Sequence, residues 1–161
     1  MPGLITAVTT TLSTVRDAID IRDSLLRLVG RPPLRILLPG GESEPREFVE
    51  IAGDGCPRGW RVFVLSSLVH HSSWIQPKEV EPDPNGEWVH PRCQLYVTGE
   101  QGERYVYALA VKQEDAETVR GWVGKAFSGP AEVERLLRSR KIKRKWSRRK
   151  RLIRVPNPAP S

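Results

Sequence analysis

The residues best suited to chemistry in this sequence are the cations of one stretch near its C-terminus. The segment 138–154 contains eleven Lys and Arg residues and no Asp or Glu. Removing these eleven from the 26 basic residues of the chain leaves 15 against 19 acidic residues. The basic character is therefore local, and such a dense run of like charge is typical of a segment that meets a polyanion.

The apolar residues within this basic segment predict that it continues a helix. Ile142, Trp146 and Ile153 fall on one side of that helix, where Trp146 can stack on a base or anchor at a membrane interface. A solubilising tail, a localisation signal and an arm folded onto its own acidic body stay open as alternatives. The residues predicted to bind nucleic acid or another polyanion are Lys141, Lys143, Arg144, Lys145, Trp146, Arg148, Arg149, Lys150 and Arg151.

The three histidines and two cysteines do not form a convincing zinc pattern. His90 and Cys93 have a metal-like local spacing, but no second close pair such as C-x-x-C accompanies them. No G-x-S-x-G elbow and no phosphate-binding loop of the P-loop type occur in the sequence. We therefore expect a protein that is not an enzyme and has no metal or other cofactor, with buried cysteines and surface histidines.

An apolar stripe near the N-terminus predicts a helix over residues 4–29. Apolar residues recur there at alternating spacings of three and four, which is a heptad seam broken once, by Arg22. Gly30 and the prolines after it end this helix. Its stripe either meets a second copy or another protein, or packs on the chain's own sheet. The predicted interface residues are Ile5, Val8, Leu12, Val15, Ile19, Leu26 and Val29.

Short apolar runs separated by turn residues predict strands between residues 34 and 111. The Asn85-Gly86 pair predicts a hairpin, because a type I′ turn needs positive φ at both central positions. Strands of this length and spacing are typical of an antiparallel β-sandwich or barrel, with Trp60, Trp74 and Trp88 as core anchors. The predicted strands are 34–38, 47–52, 60–68, 73–76, 87–90, 93–98 and 104–111.

Two further helices are predicted after these strands. The first covers 114–123, and the second starts near Gly129-Pro130 and runs into the basic segment. The predicted fold class is mainly β with flanking helices (α+β), namely an antiparallel β-sandwich with a long N-terminal amphipathic helix and a C-terminal basic helix. The predicted divisions are 1–30 for the N-terminal helix, 31–124 for the sandwich, 125–154 for the last helix and basic arm, and 155–161 for a disordered tail.

Four motifs between residues 50 and 111 resemble a loose class of bacterial immunoglobulin-like β-sandwich modules. They are a glycine turn before a Trp-led strand, a Trp-x-Gln-Pro step, an Asn-Gly-x-Trp hairpin and a final hydrophobic strand. In this sequence they read Gly59-Trp60, Trp74-Ile75-Gln76-Pro77, Asn85-Gly86-Glu87-Trp88 and 105–111. The resemblance implies an accessory domain of a larger signalling, surface or defence protein, and such domains are not usually enzymes.

Together these features predict a self-associating adaptor with a basic arm that binds nucleic acid without reading its sequence. The expected partners are nucleic acid or another polyanion, and a second copy or another protein at the N-terminal helix. No secretory signal and no apolar run of about 18 residues is visible, so a cytoplasmic location is expected. The alternative is a membrane-docked, defence-type effector that places the amphipathic helix and the basic arm on anionic lipid.

Overall fold

The computed structural model of this protein describes residues 32–39, 47–68, 72–96 and 102–154. The chain divides into two units, Met1–Pro32 and Pro33–Ser161, and the second unit contains all the described strands and helices. The predicted helix over 4–29, with its interface residues from Ile5 to Val29, lies outside the described residues, as does the predicted tail 155–161. The described part is mainly β, with antiparallel sheets and two short helices.

The strands form two antiparallel sheets. In chain order the described strands are β1 (Arg35–Leu38), β2 (Phe48–Asp54), β3 (Trp60–Leu68), β4 (Ser73–Ile75), β5 (Trp88–Gln94), β6 (Gly102–Lys112), β7 (Arg144–Trp146) and β8 (Lys150–Arg154). One sheet has the order β1-β2-β5, and the other has the order β4-β3-β6, with β7 and β8 both paired to the far edge of β6. The helices α1 (Gln113–Arg120) and α2 (Pro130–Ser139) lie between β6 and β7 in the chain.

β3 and β6 form the centre of the five-stranded sheet, as their long apolar runs predict. They pair without interruption from Trp60 opposite Lys112 to Leu68 opposite Arg104. Directly paired residues point to the same side of a sheet, so each strand contributes one row of side chains to each face. The inner row shares one hydrophobic cluster with the three-stranded sheet, and this cluster includes Val62, Val64, Val106, Ala108, Ala110, Ile51, Trp88 and Cys93.

The outer row of β3 and β6 packs against the two helices. Phe63, Leu65, Leu109 and Val111 of the sheet are almost fully buried in this second cluster. The helices contribute four side chains that are completely buried, namely Ala116, Val119, Val133 and Leu137. Burial of this apolar face keeps both helices on the sheet, because helices as short as these are not stable alone.

Gln76 of the Trp-x-Gln-Pro step joins the two sheets. Its side-chain amide donates to Ser66 Oγ at 2.9 Å and to Gln94 O at 2.8 Å, and its carbonyl accepts from the Gln94 N–H at 3.0 Å. Ser66 belongs to β3 and Gln94 to β5, so one buried side chain bridges the sheets. Of the three tryptophans expected in the core, Trp60 and Trp88 are buried, whereas Trp74 is half-buried.

A tight turn forms at Asn85-Gly86, where the Gly86 N–H donates to Asp83 O at 3.0 Å and the Asp83 N–H donates to Glu87 O at 2.8 Å, but its type differs from the prediction. Gly86 has a φ of 83°, but Asn85 is not among the described residues with positive φ, so the turn is not type I′. The Asp83 carboxylate instead accepts hydrogen bonds from the N–H groups of Asn85 and Glu87, both at 2.9 Å. The loop that contains this turn connects β4 in one sheet to β5 in the other. β5 (Trp88–Gln94) joins the strand predicted at 87–90 to the start of the one predicted at 93–98, of which residues 97 and 98 lie outside the described residues.

The predicted C-terminal basic helix is wrong, because α2 ends before most of the basic segment. Lys141 has a φ of 57°, the left-handed conformation that stops a helix, and its N–H donates to Arg138 O at 3.0 Å. The N–H of Ile142 donates to Leu137 O at 3.0 Å, which completes a Schellman motif. Ile142 and Leu137 are both buried in the outer cluster. The chain therefore turns at a lysine where a glycine is usual, and enters β7.

Candidate functional site

The basic segment forms the edge of the five-stranded sheet, which corrects the prediction of an arm leaving the body. β7 pairs with β6 up to Trp146 opposite Leu109, and β8 resumes the pairing with Lys150 opposite Val106. The three residues 147–149 therefore lie opposite two residues of β6, which is a β-bulge. A bulge bends its strand and redirects the side chains, so it decides where the neighbouring cations point.

Ser147 holds this bulge against β6. Its backbone N–H donates to Ala108 O at 2.9 Å, and its Oγ accepts from the Ala108 N–H at 2.8 Å. The same hydroxyl donates to Arg148 O at 2.9 Å. Ser147 is buried, so these bonds satisfy polar groups that would otherwise be left unpaired where the strand pairing is interrupted. The bulge is therefore specified by the sequence and is not a fraying end.

Glu134 of α2 binds the first and last residues of β7, Arg144 and Trp146. Its carboxylate accepts from Arg144 Nε at 2.7 Å, from Trp146 Nε1 at 3.0 Å and from Arg138 Nη2 at 3.1 Å. The hydrogen bonds from Arg144 have the largest effect, and together these groups lower the pKa of Glu134 to about 2. Arg144 and Trp146 therefore hold the strand to the helix.

Trp146 lies at the margin of the outer cluster, and the structure gives its ring a packing partner. Its ring meets Tyr107 edge-on, with the centroids 6.5 Å apart and the planes at 86°. The indole is half-buried, and its N–H is occupied by Glu134. The predicted basic helix, on which Trp146 would share one side with Ile142 and Ile153, is not formed. Ile142 is buried in the outer cluster, while Ile153 is exposed.

Glu103 of β6 pairs with the β8 part of the segment. Arg151 Nε donates to Glu103 Oε1 at 2.6 Å. The Arg151 side chain nevertheless remains 57% exposed, so the pair is solvated and contributes little to stability. Lys145 is half-buried and lies opposite Ala110, whose side chain belongs to the inner cluster.

The remaining cations of the predicted site have no carboxylate partner among the described residues. Two of them connect α2 to β7, and three lie at the bulge and the start of β8. All are exposed except Lys150, which is half-buried. They are Lys141, Lys143, Arg148, Arg149 and Lys150.

A cleft of about 610 Å³ lies on the outer face of the sheet, beside the start of α2. It is lined by Tyr105 and Tyr107 of β6, Ser67 of β3 and Pro130 at the start of α2. Arg149 also lines it, with its guanidinium carbon 4.6 Å from the centre of the Tyr105 ring. We call this part of the outer face the open half. The part packed against α1 and α2 is the covered half, with Phe63, Leu65, Leu109 and Val111.

The two tyrosines of the open half were missed as candidate site residues by the sequence reasoning. Because β6 has apolar residues on both faces, the sequence predicts that all of its residues belong to a covered core. Both tyrosines are half-buried, and neither phenol hydroxyl has a hydrogen-bond partner among the described residues. The signal that was available is the change along one row from Val111 and Leu109 to Tyr107 and Tyr105.

A larger cleft of about 720 Å³ lies near α1, but its charges are mixed. It is lined by the cations Arg58, Lys112 and Arg120 together with Glu114 and Glu117. Arg120 is bound to Glu79, with Nε 2.8 Å from Oε1, and Lys112 pairs with Glu114 at 4.0 Å. This cleft therefore offers no excess of free cations to a polyanion.

The cysteines and the one described histidine lie in packing positions. Cys56 and Cys93 are buried free thiols, and burial raises the pKa of Cys56 to about 11 and that of Cys93 well above its usual range. His90 is also buried, which corrects the expectation of surface histidines, and its Nε2–H donates to Pro77 O at 2.9 Å. Within the described residues, no group of three His, Cys, Asp or Glu side chains could hold a metal ion.

The cations at this edge also have a structural role. An edge strand presents unpaired backbone groups that invite pairing with another chain, and charged residues and bulges on such strands oppose that pairing. β7 and β8 carry both devices. This role explains a basic edge in general. It does not explain why aromatic side chains and a cleft lie beside the bulge.

Among the described residues, no helix has the length and apolar character needed to cross a membrane. Comparison of the chain with protein-family models, with curated proteins and with solved structures finds no match. The function must therefore follow from the chemistry of the chain's own residues.

Proposed function

We propose that this protein binds nucleic acid, without reading its sequence and without catalysing a reaction, through the cations of the bulge and β8. The observation that carries the proposal is the position of Arg148, Arg149 and Lys150. They are consecutive in the chain and have no carboxylate partner among the described residues, and Arg149 lines the cleft of the open half. A row of cations that neutralises phosphates releases their counterions, which supplies most of the affinity in sequence-independent binding.

Two features of the strand support this proposal. Cations held on a folded strand lose less conformational freedom on binding than cations of a disordered arm. The acidic residues near the segment, Glu134 and Glu103, are already engaged by Arg144 and Arg151, so they do not neutralise the bulge. Outside this segment the chain is mildly acidic, which focuses polyanion binding on this edge.

Substitution of Arg148, Arg149 and Lys150, which we call the bulge cations, is the appropriate test. Deletion of 138–161 would remove the buried Ile142 and Leu152 and uncover the edge of β6, so a loss of binding would have no clear meaning. The triple variant Arg148→Gln, Arg149→Gln, Lys150→Gln keeps the strand. Its matched control is Arg58→Gln, Arg135→Gln, Lys125→Gln, which removes the same charges from exposed positions elsewhere.

The measurement is a salt titration of binding to single-stranded DNA and RNA, duplex DNA and anionic liposomes. For single strands, the slope of log affinity against log salt concentration changes by roughly 0.7 per phosphate contact. The slope of the bulge variant should therefore be shallower by about 2. Its affinity at low salt should fall about tenfold or more, and the control should fall much less. Equal losses in the two variants would contradict the proposal. Binding to liposomes without binding to nucleic acid would favour the membrane-docked alternative.

The architecture and assembly of the protein are part of the same proposal. The inner cluster shared by the two sheets and the Gln76 bridge support an immunoglobulin-like β-sandwich that serves as a rigid adaptor body. We expect self-association through the N-terminal seam, where Leu12→Glu with Ile19→Glu should convert an oligomer to a monomer. Light scattering after size exclusion measures this, and a monomeric unsubstituted chain would contradict it.

A further inference from the structure

The cleft of the open half places Arg149 of the bulge beside a pair of aromatic rings. Tyr105 and Tyr107 are two residues apart on β6, so their rings project from the same face of the sheet. The Arg149 guanidinium packs on the Tyr105 ring with its carbon 4.6 Å from the ring centre. The volume of about 610 Å³ falls within the range of roughly 300–1,000 Å³ that is typical of sites for small organic groups.

The chemistry of this cleft suits a flat ring with polar edges. Phenol rings and a guanidinium plane offer surfaces on which a heterocycle stacks. The two phenol hydroxyls lack hydrogen-bond partners among the described residues, and the Ser128 hydroxyl also lines the cleft. Ser67 and Ser73 line it as well, and their hydroxyls bond to each other.

The charges around the cleft decide between a neutral ring and a phosphate. Glu132 occupies the start of α2, where its Oε1 accepts from the Ser128 N–H at 2.8 Å and from Ser128 Oγ at 3.1 Å. These bonds lower the pKa of Glu132, so it stays ionised at neutral pH. Glu103 lines the cleft and is bound to Arg151. A phosphate inside the cleft would meet the negative charge of Glu103, with Glu132 close by at Ser128, whereas a neutral ring would not be repelled.

We propose that the cleft of the open half receives one unpaired base of a nucleic acid, stacked on Tyr105 and Arg149, while the bulge cations hold the flanking phosphates. This inference rests on the proposed function and adds the class of nucleic acid, which is single-stranded. A base inside a duplex is stacked and paired, so its faces cannot reach the tyrosines without leaving the helix. The protein therefore prefers single strands or unpaired positions to uninterrupted duplex.

The test compares Tyr105→Leu with Tyr105→Phe. Leucine removes the aromatic face, whereas phenylalanine keeps the ring and removes only the hydroxyl. Affinity for a fluorescently labelled single-stranded oligonucleotide, measured by anisotropy, should fall roughly 5- to 150-fold in Tyr105→Leu, which corresponds to the loss of one stacked base. Tyr105→Phe should retain most of the affinity, and the duplex affinity of both variants should equal that of the unsubstituted protein.

A second probe places a single unpaired nucleotide within a duplex. The unsubstituted protein should bind this bulged duplex more tightly than the uninterrupted one, and an abasic nucleotide at the same position should abolish the difference. Tyr107→Leu serves as a second variant if Tyr105→Leu unfolds, and circular dichroism checks the fold of each. The cleft inference is overturned if single strands, bulged duplex and plain duplex bind equally. The proposed function survives that outcome if the bulge variant still weakens all three, and fails if none of them binds.

Discussion

The covered and open halves of the outer sheet face are built on the same two strands, yet they carry different kinds of side chain. β3 and β6 present Phe63 and Leu109 where the helices pack, and Ser67 and Tyr105 where the cleft lies. Aliphatic and phenylalanine side chains stabilise the fold only when they are buried away from water, so the two helices stay packed on this part of the sheet. Serine and tyrosine tolerate water, and the sheet surface there stays accessible to a ligand.

The cations follow the same division. Arg138 and Arg144 both donate hydrogen bonds to Glu134 of α2, the helix that packs on the covered half. Arg149 lines the cleft of the open half, and neither it nor Arg148 has a carboxylate partner among the described residues. A single run of positive charge thus serves two purposes, one part attaching an edge strand and the other remaining available. The bulge around Ser147 lies between Arg144 and these two cations.

The largest expected effect is on the stability of the covered half. Leu137 is completely buried among the helix and sheet residues of the outer cluster, so Leu137→Ala should lower the free energy of unfolding by about 2–5 kcal/mol. Urea denaturation measures it. Tyr105→Leu, in the open half, should cost less than about 1 kcal/mol by the same measurement. Similar losses for the two variants would mean that the open half is packed like the covered half, and the comparison would not hold.

A smaller effect is expected at the carboxylate that attaches β7 to α2. Glu134→Gln replaces charge-assisted hydrogen bonds by neutral ones and should lower the free energy of unfolding by about 1–2 kcal/mol at neutral pH. The pKa of Glu134 is lowered in the folded protein to about 2 from an ordinary 4.5, so its carboxylate stabilises the fold fully above the ordinary value. That contribution should disappear as the pH falls from 4.5 towards 2.

The difference between Glu134→Gln and the unsubstituted protein should therefore shrink as urea unfolding is repeated at decreasing pH. Glu114→Gln is the control, because it removes the same charge from a carboxylate that is 74% exposed and 4.0 Å from Lys112. That control should show little difference at any pH. A constant difference for Glu134→Gln down to the lowest pH would show that Arg144 does not depend on this carboxylate.

Much of the β architecture follows from local patterns in the sequence. The continuous apolar runs of β3 and β6 require cover on both faces, and both strands are central as predicted. The predicted type I′ geometry at Asn85-Gly86 is wrong because the Asp83 carboxylate stabilises a different turn. Propensity at the central positions of a turn does not report a side chain two residues away that competes for the same N–H groups.

The candidate site was predictable in composition but not in geometry. The density of cations in 138–154 identifies the segment, but it hides the apolar residues that fix the strand, Ile142 and Leu152. The end of α2 carries no glycine, so nothing local indicates that Lys141 takes a left-handed conformation. The pairing of β7 with β6 links residues more than thirty positions apart, and no window of the sequence contains both.

The smallest expected effect tests the turn that brings the basic segment onto the sheet. The left-handed conformation of Lys141 carries steric strain that glycine does not have, so Lys141→Gly should raise the free energy of unfolding by about 0.5–1 kcal/mol. Lys143→Gly is the matched control, because it removes the same charge where φ is not positive, and it should lower stability. Both positions adjoin the covered half, so either change should weaken single-strand binding less than Arg148→Gln does. If Lys141→Gly weakens that binding as much as Arg148→Gln, affinity follows total charge and the open half has no special part in it.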